Sequence, residues 1–181
     1  MVSRFLLLLL CIFSAHAAEV AGVKLPDEDQ KLVLNGAGLR KRAFFNVYVI
    51  GLYLPEKKTA AAAAIDAPGA KRVAIHMLRD VGADQFSDAL MDGMKDNHSE
   101  AAMKALEPRA KQLAAIMAEM KEAKKGMRIT LDWSPAGTQV TVDGRSAGAP
   151  IPGEDFYRAL LRIWLGDNPV QADLKKALLG G

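Results

Sequence analysis

"GAGLRKRAFFNVYVIGLYL", Gly36 to Leu54, has the β-branched and aromatic content of a central β-strand, yet it carries Arg40, Lys41, Arg42, Asn46 and Tyr48. A charge withdrawn from water costs several kcal/mol unless it is paired. These side chains therefore face either solvent or a cavity that holds something acidic or polar. On an extended chain Arg40, Arg42, Asn46 and Tyr48 share one parity, and Phe45, Val47, Val49 and Tyr53 the other. One straight strand would separate Arg40 from Tyr48 by about 26 Å at roughly 3.3 Å per residue, too far to touch one ligand. The Gly36-Ala37-Gly38 interruption and the basic run after it predict instead a strand ending near residue 41 and another starting near residue 44. Arg40 and Tyr48 would then sit on neighbouring strands, where a guanidinium beside a phenol can hold a carboxylate or enolate. The same residues also fit an exposed arginine and a tyrosine that packs by its ring, and Arg42 remains an alternative clamp.

Outward from this stretch, "QKLVLNGAG" before it and "KRVAIHML" after it read as further strands, with "TAAAAAIDAPG" between as a short surface helix capped by Thr59. In "DQFSDALMDGMKD" the set Phe86, Ala89, Leu90, Gly93 and Met94 recurs at helical spacing, giving one buried and one wet face. "SEAAMKALEPRAKQLAAIMAEMKEAKKG" predicts a second helix from a Ser99 cap, broken or kinked at Pro108 and stopped at Gly126. Met127, Ile129, Leu131 and Trp133 then alternate with polar residues, turn at 134–137, and resume at Val140 and Val142 as a hairpin; Asp143-Gly144 marks another turn. A last helix starts after Pro152-Gly153 with Glu154 and Asp155 in its first turn and ends at Gly166. The pattern is α+β, an antiparallel sheet with helices on one face.

Residues Met1 to Ala17 read as a secretory leader: Arg4, the apolar run Phe5 to Phe13, then Ala15-His16-Ala17 as the cleavage site. Residues 18–181 form one domain. The leader holds Cys11, the chain's single cysteine, so the mature protein would have no thiol chemistry. Of 24 Lys and Arg, losing Arg4 leaves 23 against 21 Asp and Glu, a balance of +2 that gives no footprint for nucleic acid. No later run is apolar enough for a membrane span.

The chain offers few of the residue patterns that catalysis needs. His76 and His98 lie on different predicted elements, which argues against a metal, and no G-x-S-x-G elbow occurs. "GAGLRK" fails as a dinucleotide loop, because Lys41 stands where Gly or Ala is required and a strand follows. No cofactor is implied. Asp84, Asp88 and Asp92, four apart, read as a solvated helix edge.

Three stretches, "LNGAGLRKRAFFNVYVIGLYLPEK", "KRVAIHMLRDVGADQFSDAL" and "IPGEDFYRALLRIWLGDNPVQADLKKALL", resemble in order and spacing the exported bacterial branch of the chalcone isomerase-like family. The resemblance implies an open β-sandwich, a large antiparallel sheet covered by helices, with a ligand cleft between them. Plant chalcone isomerases close a chalcone to a flavanone, and related plastid members bind fatty acids. The family arginine falls on Arg40. Tyr48 takes the strand position where the isomerases carry a threonine and the fatty-acid binders a tyrosine. Where the isomerases carry an active-site tyrosine, an asparagine and a late hydroxyl residue, this chain has Phe86, Gly93 and Ile163. Each replacement removes a polar group, and general acid–base help or oxyanion stabilisation is worth about two to four powers of ten in rate. The resemblance therefore implies a periplasmic binder of a fatty-acid-like or other apolar anion, with Arg40, Tyr48, Phe86, Gly93 and Ile163 at the ligand. An intramolecular lyase acting on a flavonoid-like phenol, and a non-catalytic scaffold, remain as alternatives.

Overall fold

The reversal expected between residues 41 and 44 is present, and the sheet is built outward from it. The computed structural model describes residues 17–181. The leader lies outside the described residues except for Ala17, which opens the first strand. The strands are β1 (Ala17–Val20), β2 (Val23–Pro26), β3 (Glu28–Asp29), β4 (Leu32–Arg42), β5 (Phe45–Leu54), β6 (Lys71–Met77), β7 (Val81–Gly82), β8 (Glu122–Ala123), β9 (Arg128–Ser134), β10 (Gly137–Val142) and β11 (Arg145–Ile151). The helices are α1 (Ala61–Ile65), α2 (Ala83–Lys95), α3 (Glu100–Glu119), α4 (Glu154–Leu165) and α5 (Ala172–Leu178). Seven strands form one antiparallel sheet in the order β11-β10-β9-β6-β5-β4-β3.

The apolar run of β5 is explained by burial on both faces. Tyr48, Ile50, Leu52 and Leu54 point into the main core beneath the helices, where α4 contributes Phe156, Leu160, Ile163 and Trp164. Val49 and Tyr53 point the other way, into a smaller core closed by Leu25 of the β1–β2 hairpin. The expected α+β sheet with helices on one face is thus observed, with a short hairpin on part of the other. Among the described residues no helix is long and apolar enough to cross a membrane.

Local readings differ at four places. Pro108 does not break α3, because it lies on the exposed side while Leu106, Ala110, Leu113 and Met117 keep the opposite stripe buried. That helix ends at Glu119, where Lys121 takes a left-handed φ of 61°; Gly126 belongs to the turn before β9. Thr59 is not the cap of α1, whose first flanking residue is Ala60 with no side-chain cap. The segment after Pro169, assigned no element from sequence, forms α5, which packs on β4.

Candidate functional site

In the β4–β5 ladder Arg40 stands directly opposite Tyr48, so the two side chains leave the same face of the sheet. Gly36 and Gly38 precede Arg40 on that face, paired with Leu52 and Ile50. A Cβ at Gly36 would lie 2.2 Å from the Ala177 carbonyl oxygen, and one at Gly38 2.5 Å from Leu174 Cδ1. The two glycines therefore let α5 lie directly on β4, and Arg40 emerges just past that helix's first residues. Gln171, immediately before α5, fixes the strand there: its Oε1 accepts from the Lys41 N–H at 2.9 Å and its Nε2 donates to the Leu39 carbonyl at 3.2 Å. A register shift between Arg40 and Lys41 turns the strand at this point.

Arg40 itself donates to the Lys41 carbonyl and reaches Gln171 Oε1 at 3.5 Å. Among the described residues no carboxylate pairs with it. Tyr48 is 7% exposed, and its Oη accepts from Trp164 Nε1 at 3.0 Å. Its ring meets Phe86 edge to face, 6.5 Å between centroids. Burial pushes the phenol pKa up, and the Trp164 N–H and the Arg40 charge pull against this without reversing it. The hydroxyl stays protonated at neutral pH and is available to donate.

All five residues singled out from sequence border one cleft of about 920 Å³, at the upper end of the size range of small-molecule sites. They play different parts in it. Arg40 and Tyr48 are the polar pair among the five. Phe86 and Ile163, 4% and 1% exposed, close the floor. Gly93 is a packing notch: a Cβ there would lie 2.8 Å from Ile163 Cγ2, so α2 can approach α4 only without a side chain at this position. Arg42 is exposed at the rim, beside the exposed Phe45, and Arg79 lies over that phenyl ring at 4.5 Å. Asp88, Asp92 and Asp96 line the opposite wall while remaining exposed, so two members of the edge read from sequence as solvated, Asp88 and Asp92, also face the cleft, whereas Asp84 does not line it.

Sequence reasoning missed Trp164, Gln171 and Arg79. The first two act across 116 and 131 residues of chain, and no local pattern announces such pairings. Among the described residues there is no group of three or more metal-ligating side chains. The chemistry available is a guanidinium and a neutral phenol at the edge of an apolar floor, an arrangement that holds an anion by charge-assisted hydrogen bonds.

Among solved structures the fold is similar to that of a fatty-acid binding protein from Arabidopsis thaliana, with a TM-score of 0.69 at 14% identity, over 87% of this chain and 92% of that one. No curated protein sequence matches. Residues 17–180 match the family described as chalcone isomerase-like, and the chain belongs to that family.

Proposed function

We propose that the protein is an exported, periplasmic binder of a fatty-acid-like carboxylate. The head group is held between Arg40 and Tyr48, and the alkyl chain lies along Phe86, Leu90 and Ile163. The observation that carries this reading is a half-buried arginine on the wall of a cleft, in no salt bridge among the described residues although Asp88, Asp92 and Asp96 line the same cleft, and opposite a buried tyrosine hydroxyl. A structural arginine in that position would be expected to have a carboxylate. The fatty-acid binding protein of similar fold supports the ligand class.

Titration with alkanoic acids of increasing length, followed by displacement of a fluorescent fatty acid, tests it. The expected result is affinity that rises with chain length and falls about 10- to 100-fold in Arg40→Ala, the range of a charge-assisted hydrogen bond. A methyl ester that binds as tightly as its free acid would remove the head-group clamp from consideration.

One observation favours the scaffold reading. Phe86 and Ile163 are buried and close the floor, so the cleft's volume lies above them and a chain can enter more deeply only if Phe86 moves. Phe86→Ala separates the two, because a binder should then accept longer chains, whereas a scaffold should bind no alkanoate in either form.

A further inference from the structure

Two large hydrophobic side chains are exposed among the described residues, and they are adjacent: Phe44 at 101% and Phe45 at 58%. Both belong to the tip of the β4–β5 hairpin, where Ala43 takes a φ of 52° to complete the reversal. Apolar surface concentrated at one protruding turn marks a contact site rather than ordinary scatter. The charge on the hairpin itself has one sign. Arg40, Lys41 and Arg42 lead into the turn, Arg79 stacks on Phe45, and no Asp or Glu occurs between Asp29 and Glu56. Arg42, Ala43 and Phe45 also form the rim of the cleft. Asp88, Asp92 and Asp96 stand on the other wall, so the charge is divided across the opening.

We propose that this tip is a docking device for an anionic lipid surface. Phe44 enters the boundary between headgroups and acyl chains, and Lys41, Arg42 and Arg79 pair with lipid phosphates. The aspartate wall is repelled by the same surface and stays in water. Aromatic side chains flanked by Lys and Arg bind bilayer interfaces in this way, by apolar burial plus attraction to anionic lipid. Docking places the mouth of the cleft at the membrane. That the docked cleft then exchanges an acyl anion with the bilayer rests on the function proposed above; the docking itself does not.

The test uses Phe44→Trp in the full chain, read as the emission difference from the unchanged protein, which carries Trp133 and Trp164. Because the signal comes from the tip, it reports whether the tip itself enters the bilayer. Vesicles of phosphatidylglycerol and phosphatidylcholine should shift the added emission to the blue, and brominated acyl chains should quench it. Pure phosphatidylcholine should do neither. Lys41→Glu with Arg42→Glu should weaken the response at least tenfold, and raised salt should weaken it similarly. These vesicles contain no free fatty acid, so failure here is distinguishable from failure of the binding reading. Unchanged emission with anionic vesicles at low salt would overturn the proposal. So would a blue shift that grows with protein concentration without lipid, which would mean the tip meets a second copy of the chain.

Discussion

Arg40 and Arg72 both leave strands of the same sheet, on opposite faces, and their surroundings differ in one respect. Arg72, on β6, pairs with Tyr53 and Asp132 in the ladders and points to the face closed by the β1–β2 hairpin. Its Nη1 lies 2.6 Å from Asp29 Oδ2, its Nε bonds Asp132, and Asp29 also takes Arg128 Nη2 at 2.7 Å. Burial works against the Arg72 charge, and the two carboxylates more than reverse that, raising its pKa further. Arg40 has only uncharged oxygens around it, those of the Lys41 carbonyl and the Gln171 amide, with the Tyr48 hydroxyl beside it. An arginine that comes with its carboxylates holds the fold together, whereas one that lacks them leaves a charge for a ligand to satisfy.

The difference breaks most visibly in stability. Arg72→Ala leaves Asp29 and Asp132 without their shared partner, and removing one member of a buried ion pair costs about 3 kcal/mol or more. Because Arg128 remains on Asp29, and Asp132 is partly exposed, the lower end is expected. Urea unfolding should show the loss while alkanoate affinity stays unchanged. A loss of stability no larger than an ordinary surface substitution would mean that Arg72 is as free as Arg40.

The reverse pattern is expected for Arg40→Ala: alkanoate affinity falls by about 2 kcal/mol, the weight of a charge-assisted hydrogen bond, while unfolding changes by no more than about 0.5 kcal/mol, as for a surface site. Equal losses in both assays would put the two arginines in one class. Tyr48→Phe sharpens the contrast, because it strips the Trp164 N–H of its acceptor inside the core. A buried donor left unsatisfied costs about 1–3 kcal/mol, so this variant should lose stability and, more modestly, affinity. A double-mutant cycle with Arg40→Ala checks whether the two groups hold one head group: coupling near zero would separate them.

How much of this was legible in the sequence follows from which interactions are local. The turn at Ala43-Phe44 and the Arg40–Tyr48 pairing were readable because glycines and a basic run interrupt an otherwise continuous apolar strand. The reason for those glycines was not readable, since it lies in α5, more than 130 residues away in sequence. The same holds for Trp164 and Gln171, whose partners are set by how α4 and α5 cross the sheet. Gly93 shows a subtler limit. Its position facing the cleft came from the family pattern, but its role as the notch for Ile163 depends on the distance between two helices. The misplaced helix stop has a similar cause: Lys121 adopts a conformation that sequence rules assign first to glycine, and Gly126 was read as the stop in its place.

The mildest prediction separates the two faces by pH. On the hairpin face His76 has its pKa lowered, first by burial and then by the Arg128 charge. Its folded state therefore binds protons less readily than the unfolded chain, so its contribution to stability is complete above the unfolded value of about 6.5 and is lost as pH falls through the lower folded value. Asp29 behaves in the same direction further down. Burial raises its pKa, but the hydrogen bonds and charges of Arg72 and Arg128 outweigh that and leave it lowered. Its contribution is thus present above the unfolded value of about 3.9 and disappears as pH drops through the folded one. Tyr48 is shifted the opposite way, so the cleft's phenol stays neutral below its ordinary pKa of about 10. Between pH 8 and about pH 5.5, where a carboxylate with an ordinary pKa of about 4.3 remains ionised, alkanoate affinity should be flat while unfolding free energy declines gently. His76→Gln should remove most of that decline. An affinity that tracks stability over the same range, or a slope untouched by His76→Gln, would show that the two faces do not titrate independently.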